Sequence, residues 1–287
     1  VSLAWVAAAG IVGAALGPLL RARIFRHAMP AGQRPAGQPA VNQPAAAQPV
    51  AGQPPARQPP AAQPPRERPP AEQPVRHACP ACATLLVPSG PRGILALLPP
   101  SGRCPACRAR LGPPAGAVEV AGAAAFALLA GHAGSVLQLV ASCWVAAFGV
   151  ALAFIDLAAH RLPNRLTLPA YSGALLLFGT AGLADHRLGT LRTAVVCGLA
   201  MVACYLALTL IAPAGMGWGD GKLALSVGIL LGWSGWSATA AGTAAGFLLA
   251  GLYAAGVLML GKATRKDHIP HGPFLLLGAL SAIALTG

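Results

Sequence analysis

Apolar runs long enough to cross a bilayer recur along this chain and leave few other folds open to it. They lie near residues 1–20, 116–131, 135–155, 166–184, 191–212, 221–233, 237–260 and 274–287. A hydrocarbon core about 30 Å thick takes roughly 20 helical residues to span. Inside it every backbone polar group must be satisfied within the segment, which a helix achieves and irregular chain does not. The pattern predicts an all-α polytopic membrane protein with about eight transmembrane helices. Composition agrees, since only 9% of the 287 residues are charged, against about a quarter in a soluble domain.

The net charge of +13 raises the question of nucleic acid. The arginines lie between apolar runs and form no basic stripe, so no nucleic-acid partner is expected. With the N-terminus outside, the inside loops hold eighteen of the twenty Lys and Arg residues, and the outside loops hold only Arg187 and Arg192. That alternation obeys the positive-inside rule along the whole chain. Arg21, Arg23 and Arg26 follow the first apolar run, the reverse of a secretory signal. Residues 1–30 therefore read as a retained first helix with a basic cytoplasmic flank. Residues 31–76 repeat Gln-Pro at five-residue spacing, and proline at that density predicts an extended or disordered spacer.

Seven acids are present. Glu67 and Glu72 fall in the spacer, and Asp185 and Asp267 in polar loops where solvation accounts for them. Glu119 opens the second run, where a helix N-terminus favours a carboxylate. Asp156 closes the third run in "AFIDLAAHRLPNRLTLP", and Asp220 opens the sixth in "GMGWGDGKLAL". On this topology both lie at the cytoplasmic membrane boundary, where a lone carboxylate is costly unless it faces the bundle interior or water. Two close carboxyls share one proton, and one can then activate water while the other donates to a carbonyl. Gly215, Gly217, Gly219 and Gly221 remove side chains around Asp220 and leave room for close approach. Alternatively, each aspartate caps a helix or pairs with a cation, as Asp156 could with His160, Arg161 or Arg165.

Cys79 and Cys82 form one CxxC pair, and Cys104 and Cys107 another, with twenty-one residues between them. Four thiolates so spaced can close a tetrahedral structural zinc site with no open position. Two disulfides or a redox pair are the alternatives. A cytoplasmic location keeps thiols reduced and favours zinc, which makes residues 77–112 a small cytoplasmic zinc-binding module. Cys143, Cys197 and Cys204 read as small apolar side chains within spans, and Trp218, Trp233 and Trp236 as interfacial belt residues. No HExxH spacing or P-loop is present.

The order of these motifs resembles the bacterial type IV prepilin peptidases, aspartic membrane proteases with a GxGD motif. "GMGWGDGKLAL" is similar to that motif, "IDLAAHRLPN" to the stretch around the first catalytic aspartate, "IPHGPFLLLGAL" to the C-terminal signature and "VEVAGAAAFALL" to the span that opens the peptidase half. The resemblance makes residues 113–287 the transmembrane aspartic peptidase domain. It implies that Asp156 and Asp220 are catalytic, with Gly217 and Gly219 as the motif glycines. Lys222 matches the lysine that commonly follows, with an electrostatic or headgroup contact expected of it. Implied substrates are prepilins or pseudopilins cut after a glycine at the cytoplasmic face of the inner membrane.

Relatives with both activities also N-methylate the new N-terminus with S-adenosylmethionine. Here the stretch from Gly17 to Pro30, "GPLLRARIFRHAMP", departs from their pattern, with Arg21 in the place of an asparagine. Two rival functions remain open on the residues alone. One is an ion-coupled transporter using the same aspartates, though only one glycine-rich break is present where transporters show paired ones. The other is a non-catalytic membrane scaffold of a secretion system.

Overall fold

The computed structural model describes residues 3–28, 79, 82, 101–104, 106–109, 112–114, 116–160, 162–211, 217–261 and 270–286. The expected spacer at 31–76, Arg161, Gly215 and residues 262–269, with Asp267 among them, lie outside the described residues. Among the described residues the chain forms eight helices and no β-strand, only a single bridge residue at Arg103. They are α1 (Leu3–Ala28), α2 (Ala117–His132), α3 (Val136–Ala159), α4 (Asn164–Ala184), α5 (Leu188–Ile211), α6 (Trp218–Trp233), α7 (Trp236–Met259) and α8 (Gly272–Thr286). Five of them, α1, α3, α4, α5 and α7, are long and apolar enough to cross a membrane, and α2 and α8 are shorter apolar helices.

Helix ends fall where the local sequence demands. Ser135 caps α3 by accepting the Gln138 N–H at 3.1 Å, one of the orphan donors every helix start leaves. The other end of α3 stops at His160, which takes the left-handed conformation (φ 49°), and Pro163 then prevents continuation. In α2 the Glu119 carboxylate accepts the Gly116 N–H at 2.9 Å, so the dipole reading of this residue holds in its capping form. α1 runs past the apolar segment, through Arg21 and Arg23, to Ala28. Arginine is a good helix former, and Arg21 packs inward with its Nε 3.9 Å from Glu119 Oε1.

Helices pack where glycines let backbones touch. A Cβ on Gly13 of α1 would lie 2.5 Å from the Gly122 oxygen of α2, and one on Gly278 of α8 would lie 2.4 Å from the Gly242 oxygen of α7. Such small-residue crossings are how apolar helices associate in lipid, where water exclusion offers little. Leu152, Ile155, Phe178, Leu223, Ile229 and Leu275 fill the space between them. At one end of the bundle Ser135 donates to Asp185, so Asp185 is tied to the α3 cap and not merely solvated. There the Arg187 guanidinium also lies over Trp233 at 5.7 Å. Trp233 itself is 6% exposed and packs on Phe178, which corrects its reading as a belt residue. Trp218 and Trp236 are exposed, at 67% and 56%.

Candidate active site

The opposite end of the bundle gathers the C-terminus of α3 and the N-termini of α4, α6 and α8. Asp156 sits in the last turn of α3 and Asp220 in the first turn of α6, 4% and 7% exposed. These are the only buried acids among the described residues. The Asp156 carboxylate lies close enough to act electrostatically on Asp220, and α3 packs directly on α6. The two acids come together although sixty-four positions separate them in sequence.

Each carboxylate has one oxygen held by a backbone N–H. Asp156 Oδ2 accepts from Gly272 at 2.9 Å, and Asp220 Oδ2 accepts from Gly217 at 3.1 Å. The second bond is a capping arrangement at the start of α6, where free N–H groups favour an anion. Gly272 begins α8, so a helix N-terminus also faces Asp156. The α3 acid owes its environment to a helix more than a hundred residues downstream.

The glycines around Asp220 have different duties. A Cβ on Gly219 would meet the Leu162 Cβ at 2.7 Å, so this glycine lets the α6 start close onto the loop after Asp156. Gly217 supplies its N–H, and a Cβ there would make only ordinary contacts. Gly221 faces open space. Lys222 Nζ donates to Asn164 Oδ1 at 2.6 Å, a bond between the α6 and α4 starts that joins the segments following both aspartates.

Two residues missed at the level of sequence lie behind this site. His271, next to Gly272, hydrogen-bonds through Nε2 to the Tyr205 hydroxyl at 2.7 Å. Its ring lies 4.8 Å from that of Phe247, and burial pushes its imidazole down to about 4. The quoted signature "IPHGPFLLLGAL" was the available signal for His271 and Gly272; nothing local marked Tyr205.

Away from the aspartates, the sulfurs of Cys79, Cys82, Cys104 and Cys107 all lie within 4.8 Å of one another. Cys79 approaches Cys107 at 3.6 Å and Cys82 approaches Cys104 at 3.7 Å. Four ligands tetrahedrally placed at about 2.3 Å from zinc would stand roughly 3.8 Å apart. The close contacts run between the two CxxC pairs, at nonbonded length. The donor set therefore fits a metal such as zinc. Arg108, at φ 59°, turns the second pair so that its N–H reaches the Cys104 carbonyl at 3.0 Å.

The sequence profile of the type IV leader peptidase family matches residues 143–283, which include both aspartates. The prepilin leader peptidase/N-methyltransferase of Aeromonas salmonicida (strain A449) is 31% identical over 217 residues, covering 72% of this chain and 70% of that protein. Its namesake from Burkholderia pseudomallei (strain K96243) is 32% identical over 224 residues, 72% of this chain and 66% of that one. The one from Bacillus subtilis (strain 168) is 28% identical over 210 residues, with 72% and 80% covered. No solved structure matches the chain. The chain belongs to the type IV leader peptidase family and is a membrane protease.

Proposed function

We propose that this protein cleaves the leader of prepilin-like substrates after a glycine, using Asp156 and Asp220 as an aspartic catalytic pair. The observation that carries this reading is the pair itself: two buried carboxyls at the same end of the bundle, on helices packed against each other, each with one oxygen held by a backbone N–H. An N–H donor favours the unprotonated oxygen, so the shared proton resides on the remaining oxygens. One carboxylate takes a proton from water as its oxygen forms the bond to the scissile carbonyl carbon. The other acid gives its proton to the carbonyl oxygen, and collapse of that intermediate breaks the C–N bond as the leaving amine is protonated.

The chain reads as four parts: the first helix at 1–30, the spacer at 31–76, the zinc module at 77–112 and the peptidase domain at 113–287. The positive-inside distribution supports an inner-membrane protein with its N-terminus outside. The module and aspartates then face the cytoplasm. Zinc in the module would have a structural role, with Cys79, Cys82, Cys104 and Cys107 holding it.

The relatives' names also include N-methyltransferase, a second activity that would use S-adenosylmethionine as methyl donor. Arg21 Nε and Nη1 are buried and make no hydrogen bond among the described residues. Glu119 Oε1 already stands 3.9 Å from that Nε, so Arg21 offers no uncompensated charge to the cofactor's carboxylate.

The test is co-expression with a prepilin bearing a glycine-ended leader, with the pilin's intact mass as readout. The mature mass should appear with the unaltered chain and not with Asp156→Ala; processing by that variant would refute the mechanism. A further 14 Da on the mature N-terminus, the mass of one methylene, would mark methylation, and an unmodified amine would exclude it.

A further inference from the structure

Lys222 is the one part of the Asp220 motif that the hydrolytic scheme does not use. It lies on the outward face of α6 with Trp218 and Leu225, at four- and three-residue spacing, while Asp220, Leu223 and Ala224 face inward. Val202 and Leu206 form the matching face of the antiparallel helix α5. Between these faces, closed at the side by Tyr171 of α4, is a cavity of about 350 Å³. Trp218 and Lys222 stand at its mouth, in the first turns of α6. Val202 and Leu225 line it deeper in the membrane, and Leu206, 39% exposed, leaves it open to the lipid side.

Three properties of this cavity point to one ligand class. Its walls are mostly apolar, with the Thr209 hydroxyl donated to the Tyr205 carbonyl, and its size is at the lower end of small-molecule sites. A helix about 10 Å across is too wide for it, whereas an extended hydrocarbon chain is not. Among the described residues, the charge at its mouth has no acidic partner. Asn164 orients the Lys222 ammonium through a neutral oxygen at 2.6 Å, and among the described residues the only ion pair is Arg21 with Glu119. Among the described residues, two ammonium hydrogens and the positive charge are thus left at the level where an exposed tryptophan marks the membrane interface.

We propose that this cleft binds an anionic phospholipid of the surrounding membrane, with an acyl chain between α5 and α6 and the headgroup phosphate on Lys222. The lipid would seat against the outer face of the helix whose inner face holds Asp220. It would also hold the α6 start against α4 through the Lys222–Asn164 contact. The proposal does not depend on the catalytic reading of the aspartates.

The test is native mass spectrometry of the full chain released from nanodiscs of equal phosphatidylglycerol and phosphatidylethanolamine. One lysine near the surface favours an anionic lipid by roughly fivefold. One retained phosphatidylglycerol per chain is therefore expected in about that excess. Lys222→Gln should abolish the preference and Lys222→Arg preserve it. Val202→Trp, which fills the cavity, should reduce retention of both lipids. Equal retention of the two lipids by the unaltered chain, or an unchanged preference in Lys222→Gln, overturns the proposal. So does displacement of the lipid by millimolar inorganic phosphate, which would assign Lys222 to a free anion. Displacement by an apolar helical peptide would assign the cleft to a protein segment instead.

Discussion

The Gly272 N–H reaches Asp156 Oδ2 at 2.9 Å, and a Cβ on that glycine would stand 3.1 Å from the same oxygen. Gly272→Ala should therefore displace the carboxylate by a few tenths of an ångström while leaving the N–H in place. Peptidase turnover should fall roughly tenfold, below the ~100-fold cost of a full 1 Å misplacement, with little change in melting temperature. Behind it, buried His271 favours its neutral form, so the unfolded chain binds more protons as pH falls from about 6.5 to about 4. The stability from neutral His271 is thus complete above pH 6.5 and lost toward pH 4. Melting temperatures across that range should show the acid-side loss, and His271→Phe should remove part of it. Asp156 and Asp220 were legible in the sequence because so few acids adjoin lipid-length runs. Gly272 and Tyr205 were not, because their contacts cross 116 and 66 positions of chain.

Among the helices, hydrophobic length located both ends of seven of the eight elements within four residues, but it could not say which faces meet. α1 illustrates the limit, since the apolar pattern ends near residue 20 and the helix continues to Ala28. Trp233 illustrates it again: position near a span end suggested an interface, whereas contact with Phe178 and Arg187 buries it. Contact faces are set by glycine pairs that a single sequence does not distinguish from the other glycines present. At the α7–α8 crossing a methyl on Gly278 would lie 2.4 Å from both the Gly242 oxygen and the Gly246 nitrogen. Neither is a flexible side-chain end, so the helices must separate. Gly278→Ala should cost about 1–3 kcal/mol, the usual range for overpacking. A lowered melting temperature in detergent would show it. Gly221→Ala, which meets nothing within 4 Å, is the matched control.

Over the whole molecule, one end of the bundle collects Asp156, Asp220 and the Lys222–Asn164 contact, and the other end holds Asp185, Arg187 and Trp233. Alternating charge foretold that division, because positive-inside bias acts on whole loops and survives errors in helix boundaries. The cysteine cluster was legible for a different reason: two CxxC pairs at this spacing can converge on one metal, and the four sulfurs do converge. One zinc per chain is expected by elemental analysis of the purified protein. Cys104→Ser should reduce that content well below one, and an unchanged content would show the metal to be held elsewhere. Lys222 stood unexplained in the sequence because its partner, Asn164, lies fifty-eight positions away.

The central claim is that Asp156 and Asp220 act as one catalytic unit. The most direct measurement is single-turnover cleavage of a prepilin by the purified chain, with Asp156→Asn, Asp220→Asn and the double variant compared. Groups that act together lose nearly all their effect when either is removed. Each single variant should lose roughly 1,000-fold or more in rate, on the scale of removing a member of a catalytic unit, and the double variant should be no slower. A single variant that retains a substantial rate, or losses that multiply in the double variant, would contradict the account.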